Sequence, residues 1–197
     1  VSAYNNTGFT PDATALHVNR WGVGLPILIS AFIGTLGFPV VLNLVQCARR
    51  RLSPKRWTLH TKLTLVTTAV LVATSLAWFL LVEWGNTGLF PADGPGMKMR
   101  RAMSAAVMPR SAGFDISWVP EVTNETKVFM SILMFIGAGS SSTAGGIRVT
   151  TFAVILLICR AAFTGHRDVT VFRRRIPRRI QMTAVSVTTA CFALVMV

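Results

Sequence analysis

The sequence predicts an all-α integral membrane fold, built from repeated membrane helix–pore loop–membrane helix units around a pore and present here as a partial chain. Three observations predict it. The first is hydropathy: 52% of the 197 residues are hydrophobic, only 14% are charged, and the mean hydropathy is +0.55. Leu63 to Val82 carries no charge over 20 residues, enough to cross a bilayer core as one helix. Gly22 to Cys47 and Val128 to Ile147 are equally uncharged, Val149 to Cys159 extends the latter, and Ile180 to Val197 opens a further run.

The second observation is internal repetition. Tyr4-Asn5-Asn6-Thr7-Gly8-Phe9 and Met108-Pro109-Arg110-Ser111-Ala112-Gly113-Phe114 both end in Gly-Phe. Each leads through a polar interval into an apolar segment with Phe-Ile-Gly, whose Phe lies 23 residues after Phe9 in one copy and 21 after Phe114 in the other. A loop-then-helix unit used twice in an apolar chain is how membrane pores are assembled by repetition.

The third observation is charge placement. The chain carries +13, and 14 of its basic residues fall on one side against the single acid Asp168. They are Arg49 to Arg51, Lys55, Arg56, Lys62, Arg148, Arg160, Arg167, Arg173 to Arg175, Arg178 and Arg179; charges on the other side cancel. By the positive-inside rule these clusters are cytoplasmic and both Gly-Phe loops open from outside, as expected of a multi-pass protein of the inner (plasma) membrane.

The elements follow in order. Residues 1–47 read as the end of a pore loop, a polar external connector and a membrane helix interrupted by Gly34, Gly37 and Pro39. Residues 48–58 are a basic cytoplasmic linker with a turn at Ser53-Pro54. Residues 59–165 form one complete helix–pore loop–helix repeat: a clean span over 59–83, an external Gly- and Pro-rich loop from Gly85 to Gly96, and a short helix from Met97 to Met108. That helix groups Met99, Met103, Ala106 and Val107 on one side and is too short to span, so it reads as re-entrant, with an interfacial amphipathic helix as the alternative. Residues 166–179 are a second basic linker, and 180–197 start the next repeat. The sequence begins inside a loop and stops inside an apolar run, the expectation for a piece of something longer.

The segment from Gly137 to Gly146 is unlike the rest. Gly137, Gly139, Ser140, Ser141, Ser142, Thr143, Gly145 and Gly146 make it a poor helix former between two apolar stretches, with helix resuming at Val149. Backbone at membrane depth cannot face lipid unsatisfied, so the segment must be buried in protein or line water. One reading is a mobile plug whose backbone is not packed like a core helix; the other is close helix packing of the Gly-x-x-x-Gly kind.

Several function classes are disfavoured. The basic charge lies in membrane-flanking clusters without a nucleic-acid motif, so no nucleic acid is expected. Cys47, Cys159 and Cys191 have no metal-ligand spacing, and His17, His60 and His166 are scattered. No His/Asp/Glu cluster or nucleophile–base pair lies within a span, so an enzyme is not expected. Asn124-Glu125-Thr126 fits a glycosylation acceptor pattern on the external side.

Asn5-Asn6-Thr7-Gly8-Phe9, Arg110-Ser111-Ala112-Gly113-Phe114, Phe135-Ile136-Gly137 and Ser142-Thr143-Ala144-Gly145-Gly146-Ile147-Arg148-Val149-Thr150-Thr151-Phe152 resemble the Trk/Ktr/HKT superfamily of potassium transporters, closest to the bacterial Ktr/Trk membrane subunit. The resemblance covers nearly the whole chain. It implies four repeats around one pore, with residues 1–47 in the second, 59–165 as the third and the last helix opening the fourth. It implies a potassium filter from the carbonyls around Asn6, Thr7, Gly8, Ser111, Ala112 and Gly113, which would replace the ion's water shell. The Gly137–Gly146 segment would be an intramembrane gate. Potassium would be the substrate, with no cofactor in this chain. The implied partners are membrane lipid, a second copy in a homodimer and a cytoplasmic nucleotide-binding regulatory ring. The alternative is a cation-coupled secondary transporter using the broken helix as its substrate site.

Overall fold

The computed structural model describes residues 3–5, 21–51, 57–87, 94–110, 119–142, 145–165, 170–171 and 174–196. The first helical pair is α1 (Trp21–Leu36) and α2 (Phe38–Arg49), whose axes bend by 101° at Gly37. Gly37 has φ 87, Pro39 sits in the first turn of α2, and the N–H groups of Val40 and Val41 both donate to the Gly37 carbonyl at 3.2 Å. Of the three expected interruptions, Gly37 with Pro39 makes the break, while Gly34 stays helical and buried.

The spine is α3 (Leu59–Val82), whose 24 residues rise about 36 Å. Thr58 caps it: the Thr61 N–H donates to Thr58 Oγ1 at 3.2 Å. Its inner face is small and polar, with Thr61, Thr64, Thr68 and Ser75 buried beside Leu71 and Phe79. Two of these hydroxyls bond within the helix, Thr64 donating to the His60 carbonyl at 2.9 Å and Ser75 to that of Leu71 at 2.8 Å. Val66, Val70 and Leu81 point outward, Leu81 with 83% of its surface exposed. Hydroxyls inside and aliphatics outside reverse the soluble pattern and suit lipid or further helices, not water. By length and composition α3 can cross a membrane, and α1 with α2 passes the same test as a bent pair.

The short α4 (Pro95–Val107) starts with proline, where the missing N–H costs nothing. Thirteen residues rise about 20 Å, too little to span a bilayer. Of the side grouping Met99, Met103, Ala106 and Val107, both methionines are exposed while Ala106 is buried, together with Ala102, Ala105 and the following Met108. Small residues let α4 lie close on Phe79 of α3, where Met residues would hold it away.

The chain continues through α5 (Asn124–Ile136), α6 (Val149–Phe163) and α7 (Arg178–Met196). Three apolar clusters stack along α3: Phe79 with Ala102, Val122 and Met130, then Leu71 with Leu133, Ile136 and Val149, then Leu63 against Val154, Ile176 and Ala184. Within the second basic linker, β1 (Thr170–Val171) pairs antiparallel with β2 (Arg174–Arg175). This two-residue ladder is the one departure from helix and turn among the described residues.

At the far end of α3, Glu83 is completely buried and clamps α3 to α5. It accepts from the Thr123 N–H at 3.1 Å, the Thr123 hydroxyl at 2.7 Å and Asn86 Nδ2 at 2.7 Å. Asn86 Nδ2 also donates to the Glu121 carbonyl at 2.6 Å. Thr126 extends the network, its Oγ1 3.0 Å from that of Thr123 and accepting from Trp78 Nε1 at 3.2 Å, while the Trp78 ring stacks on Phe129 with centroids 4.7 Å apart. The Thr of the acceptor pattern is therefore a structural hydroxyl.

Burial is the strongest single influence on the Glu83 carboxyl and pushes its pKa up. Donors from Thr126, Asn86 and Thr123 together outweigh it and hold the group below its ordinary value. A carboxylate with a lowered folded pKa stabilises the fold above its unfolded pKa and loses that contribution as pH falls through the folded one. Glu83→Gln in the full-length protein is therefore expected to cost about 1–3 kcal/mol at neutral pH, since it leaves buried donors mismatched. It should also flatten the loss of melting temperature below about pH 4. Identical melting of mutant and wild type at pH 7 rules the clamp out.

Candidate functional site

Helix α5 stops at Ile136 because Gly137 turns the chain at φ 69, ψ −139. Helix resumes at Val149, where the sequence placed it. The two ends are stitched together by backbone: the Ile147 N–H donates to the Phe135 carbonyl at 3.0 Å, and the Val149 N–H to the Ala138 carbonyl at 2.9 Å. The residues between leave and re-enter the helical path at almost one place, so α6 continues where α5 ends.

The crossing point needs glycine. A Cβ on Gly137 would overlap the Gly145 carbonyl oxygen, and one on Gly146 would lie 2.8 Å from the Gly137 Cα. Side chains cannot be inserted where two backbones touch, and both residues also have positive φ.

The segment has two halves. Gly137, Ala138 and Gly139 are buried, Ser140 and Ser142 are half-buried, and Ser141, Gly145 and Gly146 are exposed. The Gly139 N–H donates to the Thr35 carbonyl at 2.7 Å, just before the α1–α2 break. A Cβ on Gly139 would overlap the Leu36 carbonyl oxygen, and one on Gly37 that of Ser140. The two helix breaks thus dock on each other, backbone to backbone. This corrects the expectation of an unpacked plug: the first half is held as tightly as a core helix. Ser140 also borders a cavity of about 440 Å³ between α3, α6 and α7, lined among others by Leu63, Thr150, Thr151 and Arg179.

Among the expected filter residues, Asn6, Thr7, Gly8, Ser111, Ala112 and Gly113 lie outside the described residues, as does Thr143 of the gate segment. The roots of both loops are described. Ala3, just before the first, and Met108, which opens the second, pack in one cluster with Ala31 of α1. The two Gly-Phe loops therefore spring from neighbouring points.

Three features had escaped the sequence reading: the Gly37–Gly139 docking, the Glu83 clamp, and Arg148. Arg148, immediately before α6, has φ 80 and donates from Nη1 to the carbonyls of Gly139 at 3.3 Å and Ser142 at 3.4 Å. A signal for the first lay in the repeat itself, since both breaks follow Phe-Ile-Gly, at its glycine in one copy and three residues later in the other.

The model of a family described as "TrkH: Cation transport protein" matches residues 1–197. The "Ktr system potassium uptake protein B" of Bacillus subtilis (strain 168) is 38% identical over 192 residues, covering 95% of this chain and 42% of that protein. The "Potassium/sodium uptake protein NtpJ" of Enterococcus hirae is 30% identical over 189 residues, covering 94% of this chain and 41% of its own length. The chain thus spans about two-fifths of the length of these relatives. The crystal structure of the potassium transporter TrkH from Vibrio parahaemolyticus superposes with a TM-score of 0.70 at 16% identity, over 94% of this chain and 40% of that one, a likeness of fold. With a family model matched from end to end, two helix breaks locked by glycine and a largely helical fold shared with a solved relative, this chain belongs to the TrkH family of cation transport proteins.

Proposed function

We propose that this chain supplies part of a potassium path: two filter segments, Asn6-Thr7-Gly8 and Ser111-Ala112-Gly113, above a gate made from residues 137–146. The observation that carries this is the pair of broken helices docked through Gly37 and Gly139, beside a cavity bordered by Ser140. Backbone of this kind is tolerated at membrane depth only where protein or water satisfies it. The common root of the two Gly-Phe loops at Ala3 and Met108 supports placing both around one axis. The names of the relatives, potassium uptake proteins among them, support a monovalent cation as the substrate class.

On this reading residues 1–47 and 59–165 belong to successive repeats, and the filter is completed by segments outside this chain. The full-length protein works as a dimer in the inner membrane. The basic linkers 48–58 and 166–179 face the cytoplasm and offer docking surfaces to a nucleotide-binding regulatory ring.

Rubidium uptake into liposomes containing the full-length protein, against uptake of an organic solute, tests the class. Within it, Gly113→Ser is expected to lower potassium-over-sodium discrimination by about tenfold, because a Cβ perturbs a backbone that must present carbonyls to the ion. Unchanged relative permeation removes Gly113 from the filter.

A further inference from the structure

The cavity of about 440 Å³ between α3, α6 and α7 is graded along its depth. Its outer end lies where α3 and α7 begin, at His60 and Arg179, next to the two basic linkers. Aliphatic side chains follow: Leu63 from α3, Val154 from α6 and Ala184 from α7. Arg179 and Val187 both line it and are eight residues apart on α7, so it runs about 12 Å along that helix. Val154 and Ala184 also pack with Ile176 and with Val171 of β1, so this wall is a core cluster and not a loose groove.

The charge at the outer end is unbalanced. Helix α7 opens with Arg178 and Arg179 and has no acid in its first turn, where a helix favours anions and disfavours cations. Neither guanidinium has a hydrogen bond or ion pair among the described residues. The described acids are far from it: Glu83, Glu121 and Glu125 gather around the clamp at the opposite end of α3.

An occupant must therefore be anionic at one end and apolar along its length. A potassium ion does not fit, since the outer charge repels it and the aliphatic shaft cannot replace its water. The cavity thus flanks the proposed path. A free phosphate would satisfy the arginine and leave the shaft empty. A further helix is too thick: about 10 Å across with its side chains, it would need about 900 Å³ over the same length.

We propose that the cavity takes an anionic phospholipid of the cytoplasmic leaflet, with its phosphate on Arg179 and one acyl chain along Leu63, Val154 and Ala184. Basic pockets between membrane helices on the cytoplasmic side suit such headgroups, and the leaflet supplies charge and chain together. The site requires a membrane-embedded chain with its basic clusters inward, and it is independent of the potassium reading.

The test uses the delipidated full-length protein in detergent, its melting temperature titrated with dioleoylphosphatidylglycerol. Dioleoylphosphatidylcholine carries the same chains without net charge, and glycerol phosphate carries the charge without the chains. Phosphatidylglycerol is expected to raise the melting temperature at a half-maximal concentration about fivefold below that of phosphatidylcholine, and glycerol phosphate to leave it unchanged. Arg179→Gln should weaken the phosphatidylglycerol response about fivefold, whereas Arg178→Gln, outside the lining, should change it by less than about twofold. Ala184→Leu narrows the shaft and should weaken the response to both lipids about fivefold. Equal losses in the two arginine variants mark a diffuse basic surface and overturn the site. So do equal responses to the two lipids, no response to phosphatidylglycerol, or a matching shift with glycerol phosphate. Full binding by Ala184→Leu removes the acyl chain from the cavity; if that variant does not accumulate, the arginine contrast decides alone. Because transport is not the readout, failure of the potassium reading leaves this site standing.

Discussion

Gly137→Ala in the full-length protein is expected to remove most of the folded transporter from the membrane. At φ 69 an alanine costs about 1–2 kcal/mol in backbone strain alone. Its methyl would also overlap the Gly145 carbonyl oxygen at a crossing of two backbones, where neither partner is a flexible side chain end. Forcing such a site apart adds about 1–3 kcal/mol. The sum is a large share of the stability of an ordinary domain. Gly22→Ala is the control: that glycine is helical and exposed, with nothing near its missing Cβ, so alanine should be neutral or stabilising by up to about 1 kcal/mol. Surface-normalised protein and melting temperature read both. A Gly137→Ala protein that accumulates and melts like wild type shows that the crossing relaxes, and removes the main support for a rigid loop base.

The outcome depends on a contact that no local pattern announces. Leu59–Val82 was legible because an uncharged run of that length has few alternatives, and the restart at Val149 because ten small residues cannot sustain a helix. Gly37 and Gly139 were each visible as helix breakers. That they touch was not, because glycine fits a turn, a close approach or an idle linker equally well, and only the fold chooses. Glu83 read as one more external acid. Its burial depends on Thr123, 40 residues away, and on Asn86 in the turn after α3. Thr126 matched a modification pattern because three residues carry little information, and its hydroxyl is committed to Trp78. For α4, periodicity grouped Met99 and Met103 on one side but could not say which side packs inward. In an apolar medium side-chain hydrophobicity no longer ranks the faces, and close approach favours the alanines.

The division of residues 137–146 into an anchored and an outer half yields the last expectation. Excising Gly139 with the rest should abolish assembly, because its N–H holds Thr35 and its missing side chain lets Leu36 approach. Replacing only Ser141 to Ala144 with two glycines leaves the Gly137–Gly146 crossing, the Gly139–Thr35 bond and the Ser140–Gly37 contact in place. It removes Ser142, one of the two carbonyls held by Arg148. On the proposed gate reading, the shortened protein is expected to reach the membrane at near wild-type amounts and carry rubidium about five- to tenfold faster at saturation, with its filter affinity kept. Flux normalised to surface protein reads the result. Normal surface protein with unchanged flux sinks the gate.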